Sequence, residues 1–307
     1  MHSLAHGECI VKCGYGAMPS GVAYGGSVAA LSPTGDDELN ATSAAIQQFP
    51  SLQDERSLAN GNDLAKDRDI RRIAEKVLRG FNTWAFKREQ PSDPQLMLRV
   101  IESAVVKRDP IEFVLYWGKG PRHRSSALDE QCLDFLVALT SRVAASYEPG
   151  TAVSLILTDT HAELNGHSSD DIRRYFQDVT AAAARRGFAT HWLGQLVRAA
   201  GAVATAAPLD DSVSETMLTS LIGSAQKWYR GSGTARDGAL TYLRMNLIEQ
   251  RVVERAFPRS IFITFNGSEL RGLFPRQLPI FYMYSLRRGV SVKPWFLPSD
   301  PEQPSPA

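Results

Sequence analysis

The apolar run at residues 153–157 constrains this chain more than any other feature, because it ends abruptly in ionisable and amide side chains. Pro149 and Gly150 precede the run, and Asp159 and His161 follow it. A short apolar run between such boundaries is typical of a strand buried on both faces of a sheet. Open α/β sheets bind ligands at the carboxyl ends of their strands. The sequence therefore predicts that Asp159 and His161 lie beside a ligand crevice.

The other apolar patterns predict alternating helices and strands. Branched and aromatic residues at 111–117 indicate a strand, and an amphipathic helix at 128–147 leads from it into the strand at residues 153–158. A crossover of that length permits parallel pairing. Residues 280–285 and 290–293 indicate a hairpin. The predicted fold class is α/β, a mainly parallel Rossmann-like sheet with flanking helices and an antiparallel C-terminal strand pair. Further helices are predicted at residues 67–82, 94–109, 168–187, 218–228 and 240–257, and further strands at residues 188–193 and 260–265.

Composition divides the 307-residue chain near residue 65. Residues 1–65 are rich in Gly, Ser, Ala, Asn and Asp and show little periodicity, which is typical of a flexible segment. Residues 66–300 are predicted to form a single α/β catalytic domain, since one core of that size is common. Residues 301–307 are predicted to be a disordered tail.

Charge and composition favour a small-molecule substrate. The formal net charge is +1, which gives no broad attraction for nucleic acid or an anionic membrane. No apolar stretch has the length of a membrane span, so we expect no membrane partner and a cytoplasmic location. Cys9, Cys13 and Cys132 are too few and too scattered for a disulfide framework. His6 lies near the first two cysteines, but no second ligand cluster completes a zinc site, and no metal is predicted.

A basic loop follows the strand at residues 111–117. Its glycines permit close approach of a ligand to the backbone, and its cationic side chains suit a phosphate or carboxylate. The loop matches neither the Walker nor the dinucleotide fingerprint, and a solvated basic loop is the alternative. The predicted substrate-binding residues of this loop are Lys119, Arg122, His123 and Arg124.

The segment after the apolar run carries the predicted acid/base groups Asp159, His161 and Glu163. An aspartate and a histidine at a strand end can orient a substrate amine, exchange a proton near neutral pH or contribute to a metal site. His161 and His167 lack the i, i+4 spacing of a zinc protease helix, so the spacing does not support catalytic zinc. In the alternative interpretation, Asp159 caps the following turn and the histidines decorate the surface.

A third group of residues lies in the last third of the chain. Lys293 ends an apolar strand pattern, where a buried amine could meet an anion. Trp295 could stack on an aromatic substrate or complete the core. Tyr242 and Arg244 occupy a predicted helix whose charges could instead pair or face water.

Taken together, these segments resemble the isonitrile synthase family, also known as the pyoverdine and dityrosine biosynthesis family. The resemblance runs from about residue 111 to residue 297. Its order and spacing rest first on residues 111–115, 129–136 and 147–150 and on the strand that ends at Asp159. The later matching positions are Gly166, Asp170, Tyr175, residues 242–244, Glu249 and Gln250.

The resemblance implies an enzyme that joins the amine of an aromatic amino acid to ribulose 5-phosphate and keeps the second carbon of the sugar as the isonitrile carbon. It implies no redox cofactor. Lys119, Arg122 and Arg124 would bind the sugar phosphate, and Asp159 would lie near the amine. His161, Glu163 and Lys293 are the residues expected to move protons during carbonyl addition, dehydration and carbon–carbon cleavage.

Two departures mark this chain as a divergent member. The family usually has Asp-Gly-Arg where this chain has Asp159, Thr160 and His161, and Thr-Pro-Trp-His where it has residues 293–296, so that Phe296 stands in the place of a histidine. A transferase or lyase acting on another anionic metabolite is therefore an alternative. A catalytically silent homologue that binds a metabolite or a partner protein is a further one, although the clustered proton-transfer groups favour an enzyme.

Overall fold

Five parallel strands form the central sheet. The computed structural model describes residues 61–118, 124–201 and 215–288. The strands stand in the order β3-β2-β1-β4-β5, and every neighbouring pair is parallel. This confirms the predicted α/β class with a Rossmann-like parallel sheet. The strands are β1 (Ile111–Trp117), β2 (Thr151–Leu157), β3 (Ala189–Trp192), β4 (Ile261–Thr264) and β5 (Ile280–Tyr282).

Helices connect the strands, and polar caps fix where several of them begin. Asp93 accepts a hydrogen bond from the backbone N–H of Leu96, and Ser168 accepts one from that of Asp171. Such caps satisfy amide groups that a helix start leaves without partners. The helices are α1 (Gly61–Phe81), α2 (Pro94–Lys107), α3 (Ala127–Ala144), α4 (Asp159–Leu164), α5 (Ser169–Ala184), α6 (Leu193–Ala200), α7 (Glu215–Trp228) and α8 (Ala235–Ala256), with a 3-10 helix at Ser268–Leu273.

The sheet separates two apolar layers. On one face, α1, α2, α3 and α5 pack against Phe113, Leu155 and Ile263. On the other face, α6 and α8 pack against Val114 and Phe262. Because both faces are covered, β1 and β4 are buried almost throughout, which is why their sequences read as continuous apolar runs. α7 packs on the outer side of α8 through a third apolar cluster.

The order of the strands places a topological switch point between β1 and β4. The chain moves outward from β1 through β2 to β3 and then returns to the other side of β1 for β4 and β5. Open α/β sheets bind ligands outside the carboxyl ends of the strands at such a point. The basic loop that starts at Gly118 follows β1 at this edge of the sheet, and α4 follows the neighbouring strand β2.

Several predicted boundaries differ from the observed ones. α1 begins at Gly61, before the predicted boundary at residue 65, and residues 1–60 and 301–307 lie outside the described residues. β5, the first strand of the predicted antiparallel pair, lies parallel to β4, and residues 290–293 lie outside the described residues. The short helices α4 and α6 were not predicted. Among the described helices, none combines the length and apolar content that a membrane span requires.

Candidate active site

The end of β2 is tied to the end of β1. Both the backbone N–H and the hydroxyl of the buried Thr158 donate to the carbonyl oxygen of Trp117, each over 3.0 Å. The chain then turns directly into α4. As a result, Asp159, Thr160 and His161 stand on the first turn of a short helix at the carboxyl edge of the sheet, where the sequence placed them.

His161 forms a buried pair with Glu249 of α8. Its Nε2 lies 2.7 Å from Oε1 of Glu249, and the two side chains are 4% and 0% exposed. The hydroxyl of Thr160 donates to the same oxygen over 3.4 Å. The other carboxylate oxygen, Oε2, has no hydrogen-bond partner among the described residues. Buried carboxylate oxygens normally have a partner, so this one calls for an explanation.

Tyr242 stacks on this pair, and Tyr116 lies within electrostatic range of its carboxylate. The ring of Tyr242 stacks on that of His161, with the centroids 5.9 Å apart and the planes 27° from parallel. The hydroxyl of Tyr242 donates to Oδ1 of Asn165 at the end of α4. Burial raises the pKa of Tyr242 to about 12. Burial, and then the charges of Glu249 and Glu254, raise the pKa of Tyr116 well above its ordinary value. Both phenols are therefore neutral at physiological pH.

Asp159 contacts a different helix. Its Oδ1 accepts a hydrogen bond of 2.8 Å from the backbone N–H of Gly194 in the first turn of α6. A Cβ at Gly194 would lie 2.7 Å from the other oxygen of Asp159, so a side chain there would displace this carboxylate. A carboxylate at a helix start also interacts favourably with the helix dipole. Asp159 is half-buried, so it combines this contact with access to solvent.

The other predicted site residues are either exposed or outside the described residues. Glu163 and Arg244 are exposed. Arg124 is exposed as well and pairs with Asp178 of α5 over 3.3 Å. Lys119, Arg122, His123, Lys293 and Trp295 lie outside the described residues. Of the predicted residues, the structure thus joins His161 and Tyr242 and places Asp159 on the same short helix as His161.

The sequence analysis named Glu249 for the resemblance but did not predict it as a site residue. Tyr242, Asn246, Glu249 and Val253 are all buried and follow one another at intervals of four, three and four residues along α8. These intervals define one helical face. A carboxylate on an otherwise buried helical face is the signal that could have identified it.

A second buried carboxylate, that of Asp129, lies in the first turn of α3. Oδ1 of Asp129 accepts a 2.6 Å hydrogen bond from the hydroxyl of Tyr175, which in turn accepts one from Nε1 of Trp117. Oδ2 accepts hydrogen bonds from the backbone N–H and the hydroxyl of Ser126, over 2.8 and 3.0 Å. Both oxygens of this carboxylate therefore have partners.

Within the described residues, no three His, Cys, Asp or Glu side chains gather as metal ligands would.

Comparisons with known proteins identify a shared fold. The crystal structure of the PvcA protein from Pseudomonas aeruginosa superposes with a TM-score of 0.56 and 19% sequence identity. The match covers 73% of this chain and 87% of PvcA. No family model matches the sequence, and no curated protein matches it significantly. The chain therefore has the fold of PvcA.

Proposed function

We propose that this chain is an isonitrile-synthase-like enzyme that joins the amine of an amino acid to a phosphorylated ketose, ribulose 5-phosphate. The observation that carries the proposal is the buried pair of His161 and Glu249 at the carboxyl edge of the sheet. Two further observations support it. The fold is that of PvcA, and the sequence resembles the isonitrile synthase family through residues 111–297.

The first chemical steps need a group that moves protons. The substrate ammonium has to lose a proton before its nitrogen can form a bond to the carbonyl carbon of the sugar. The carbonyl oxygen then takes up protons and leaves as water, which gives an imine. A histidine oriented by a carboxylate suits both transfers, because it exchanges protons near neutral pH. We assign this role to His161 and the orientation of its ring to Glu249.

The electrostatic surroundings suit that role. Both members of the pair are shielded from water, and a shielded site strengthens electrostatic interactions with a substrate. The ring of Tyr242 packs along the imidazole and limits its rotation. We assign phosphate binding to the basic loop, with Lys119 and Arg122 as the cationic donors.

The direct test incubates the full chain with ribulose 5-phosphate and a panel of amino acids that includes tyrosine and tryptophan, followed by mass detection of an isonitrile. We expect a product from at least one aromatic amino acid. Asp69→Asn is the control variant, because Asp69 is an exposed carboxylate of α1 that pairs with Arg72. Binding of ribulose 5-phosphate without an isonitrile product would contradict the proposed reaction and favour another reaction on the same fold.

A further inference from the structure

Two carboxylates, Asp159 of α4 and Glu249 of α8, differ in whether a buried acceptor oxygen is still unused. Asp159 uses Oδ1 to hold the start of α6, and the residue is only half-buried. Glu249 is fully buried, and its Oε2 has no hydrogen-bond partner among the described residues. The acceptor that is both desolvated and unused thus belongs to Glu249 and not to Asp159.

We propose that Oε2 of Glu249 binds the ammonium group of the amino-acid substrate. The inference rests on the proposed function and gives it a specific contact. It assigns the contact with the amine to Glu249 of α8, whereas the sequence analysis assigned that contact to Asp159. Asp159 then has a positioning role, because it holds α6 against the start of α4.

A buried carboxylate oxygen without a partner is unfavourable, and native structures rarely keep one unless water, an ion or a ligand satisfies it. An ammonium group fits this position well. Its positive charge compensates the negative charge of the buried carboxylate, and a charge-assisted hydrogen bond is stronger than one between neutral groups. Its remaining N–H bonds are free for other acceptors.

The position also lies next to the pair to which the proposed reaction is assigned. Oε1 of the same carboxylate lies 2.7 Å from Nε2 of His161, so an ammonium on Oε2 is held on the Nε2 side of the imidazole. The faces of neighbouring aromatic rings attract cations. Tyr242 supplies such a ring beside His161, and its raised pKa keeps its phenol neutral. The amine is thus bound beside the pair of His161 and Glu249.

The experiment compares amino acids with analogues that lack only the amine. Calorimetry measures binding of tyrosine against 3-(4-hydroxyphenyl)propanoate and of tryptophan against indole-3-propanoate, for the full chain and for Glu249→Gln, Asp159→Asn and Asp69→Asn. We define the amine preference as the ratio of the two affinities. We expect the native chain to prefer the amine by about tenfold or more, since a charge-assisted hydrogen bond is at stake.

Glu249→Gln should reduce the amine preference to about twofold or less, because the amide removes the charge and keeps the shape. Asp159→Asn should keep the preference and lower the melting temperature, since it weakens the contact with α6. Asp69→Asn should change neither quantity. A preference that survives Glu249→Gln, or one that Asp159→Asn abolishes, would overturn the inference.

Glu249→Asp is the second variant in case Glu249→Gln does not fold. Aspartate retains the charge, but its side chain is shorter by one methylene group. The amine preference should therefore fall to an intermediate value, and an unchanged preference would contradict the inference. The native chain gives a test without any substitution, since equal affinity for amino acid and analogue also refutes it. If no amino acid binds at all, the proposed function fails as well. If amino acids are converted while the preference is independent of Glu249, only this inference fails.

Discussion

Asp129 and Glu249 are both fully buried carboxylates, yet their surroundings differ in kind. Tyr175 and Ser126 supply donors to both oxygens of Asp129. Glu249 has His161 and Thr160 on one oxygen and no described partner on the other. Both residues lie near the carboxyl edge of the sheet, one on the side of α3 and α5 and the other on the side of α8.

The difference separates a structural carboxylate from one available for chemistry. A buried charge whose hydrogen bonds are complete stabilises the arrangement around it, and it has no acceptor left for a substrate. A buried charge with an unused acceptor lowers stability unless something binds there, and such groups concentrate at functional sites. We therefore expect a substitution of Asp129 to lower stability, and a substitution in the pair of His161 and Glu249 to lower turnover.

The largest expected effect is on turnover and comes from His161→Gln. The amide nitrogen of glutamine lies close to the position of Nε2 and so keeps an N–H donor for Glu249, but it cannot exchange a proton near neutral pH. Isonitrile formation should fall by about 100-fold to 10,000-fold, the range for a positioned acid/base group, with little change in the melting temperature. Steady-state kinetics and thermal unfolding of the same preparation check this. Turnover within a factor of ten of the native value would remove His161 from the mechanism.

The next effect is on stability and comes from Asp129→Asn. The amide replaces one of the two carboxylate oxygens by an NH2 group, so either Tyr175 or Ser126 loses its acceptor. The free energy of unfolding should fall by about 3 kcal/mol, since hydrogen bonds to charged groups contribute roughly 1.5–3 kcal/mol each. Urea unfolding measures it. Turnover per folded molecule should stay within a factor of ten, and a greater loss would mean that Asp129 takes part in the chemistry.

The sequence predicted the sheet better than the site, for physical reasons. The apolar runs at residues 111–117 and 153–157 had to be buried strands, and the structure confirms β1 and β2 there. His161 and Tyr242 could be singled out by residue type. Glu249 could not be paired with His161, because 88 positions of chain separate them and only tertiary packing brings them together. The contact of Asp159 with Gly194 depends on α6, a helix too short to give a clear periodic signal.

The basic loop offers a comparison within one segment. Lys119→Ala and Arg122→Ala should each weaken binding of ribulose 5-phosphate by about tenfold, the value of one charge-assisted contact. Arg124→Ala should weaken it less, because Arg124 is exposed and paired with Asp178. Arg72→Ala on α1 is the control for loss of a surface charge. Calorimetry measures these affinities. A loss of affinity in Arg124→Ala as large as that in Arg122→Ala would contradict the prediction.

The smallest effect concerns alkaline pH and Tyr242. Burial raises the pKa of this tyrosine to about 12 in the folded chain, whereas in the unfolded chain it titrates near its ordinary value of about 10. The folded state therefore retains a proton that the unfolded state loses, and this contribution to stability, complete below about pH 10, is lost as the pH rises towards 12. Tyr242→Phe should show a shallower loss of stability across that range. Urea unfolding at each pH gives the free energy of unfolding. If this free energy falls equally steeply with pH in the native chain and in Tyr242→Phe, Tyr242 is more solvated than its raised pKa implies.

We propose the pair of His161 and Glu249 as the reaction centre of an isonitrile-forming enzyme, and isotope tracing is the sharpest test of that assignment. Ribulose 5-phosphate labelled with carbon-13 at its second carbon is incubated with the native chain and with folded His161→Gln, together with the amino acid that the native chain uses. We expect a labelled isonitrile carbon from the native chain and about 100-fold less or none from the variant. Equal labelling in both proteins, or no labelled isonitrile from the native chain with any amino acid, would contradict it.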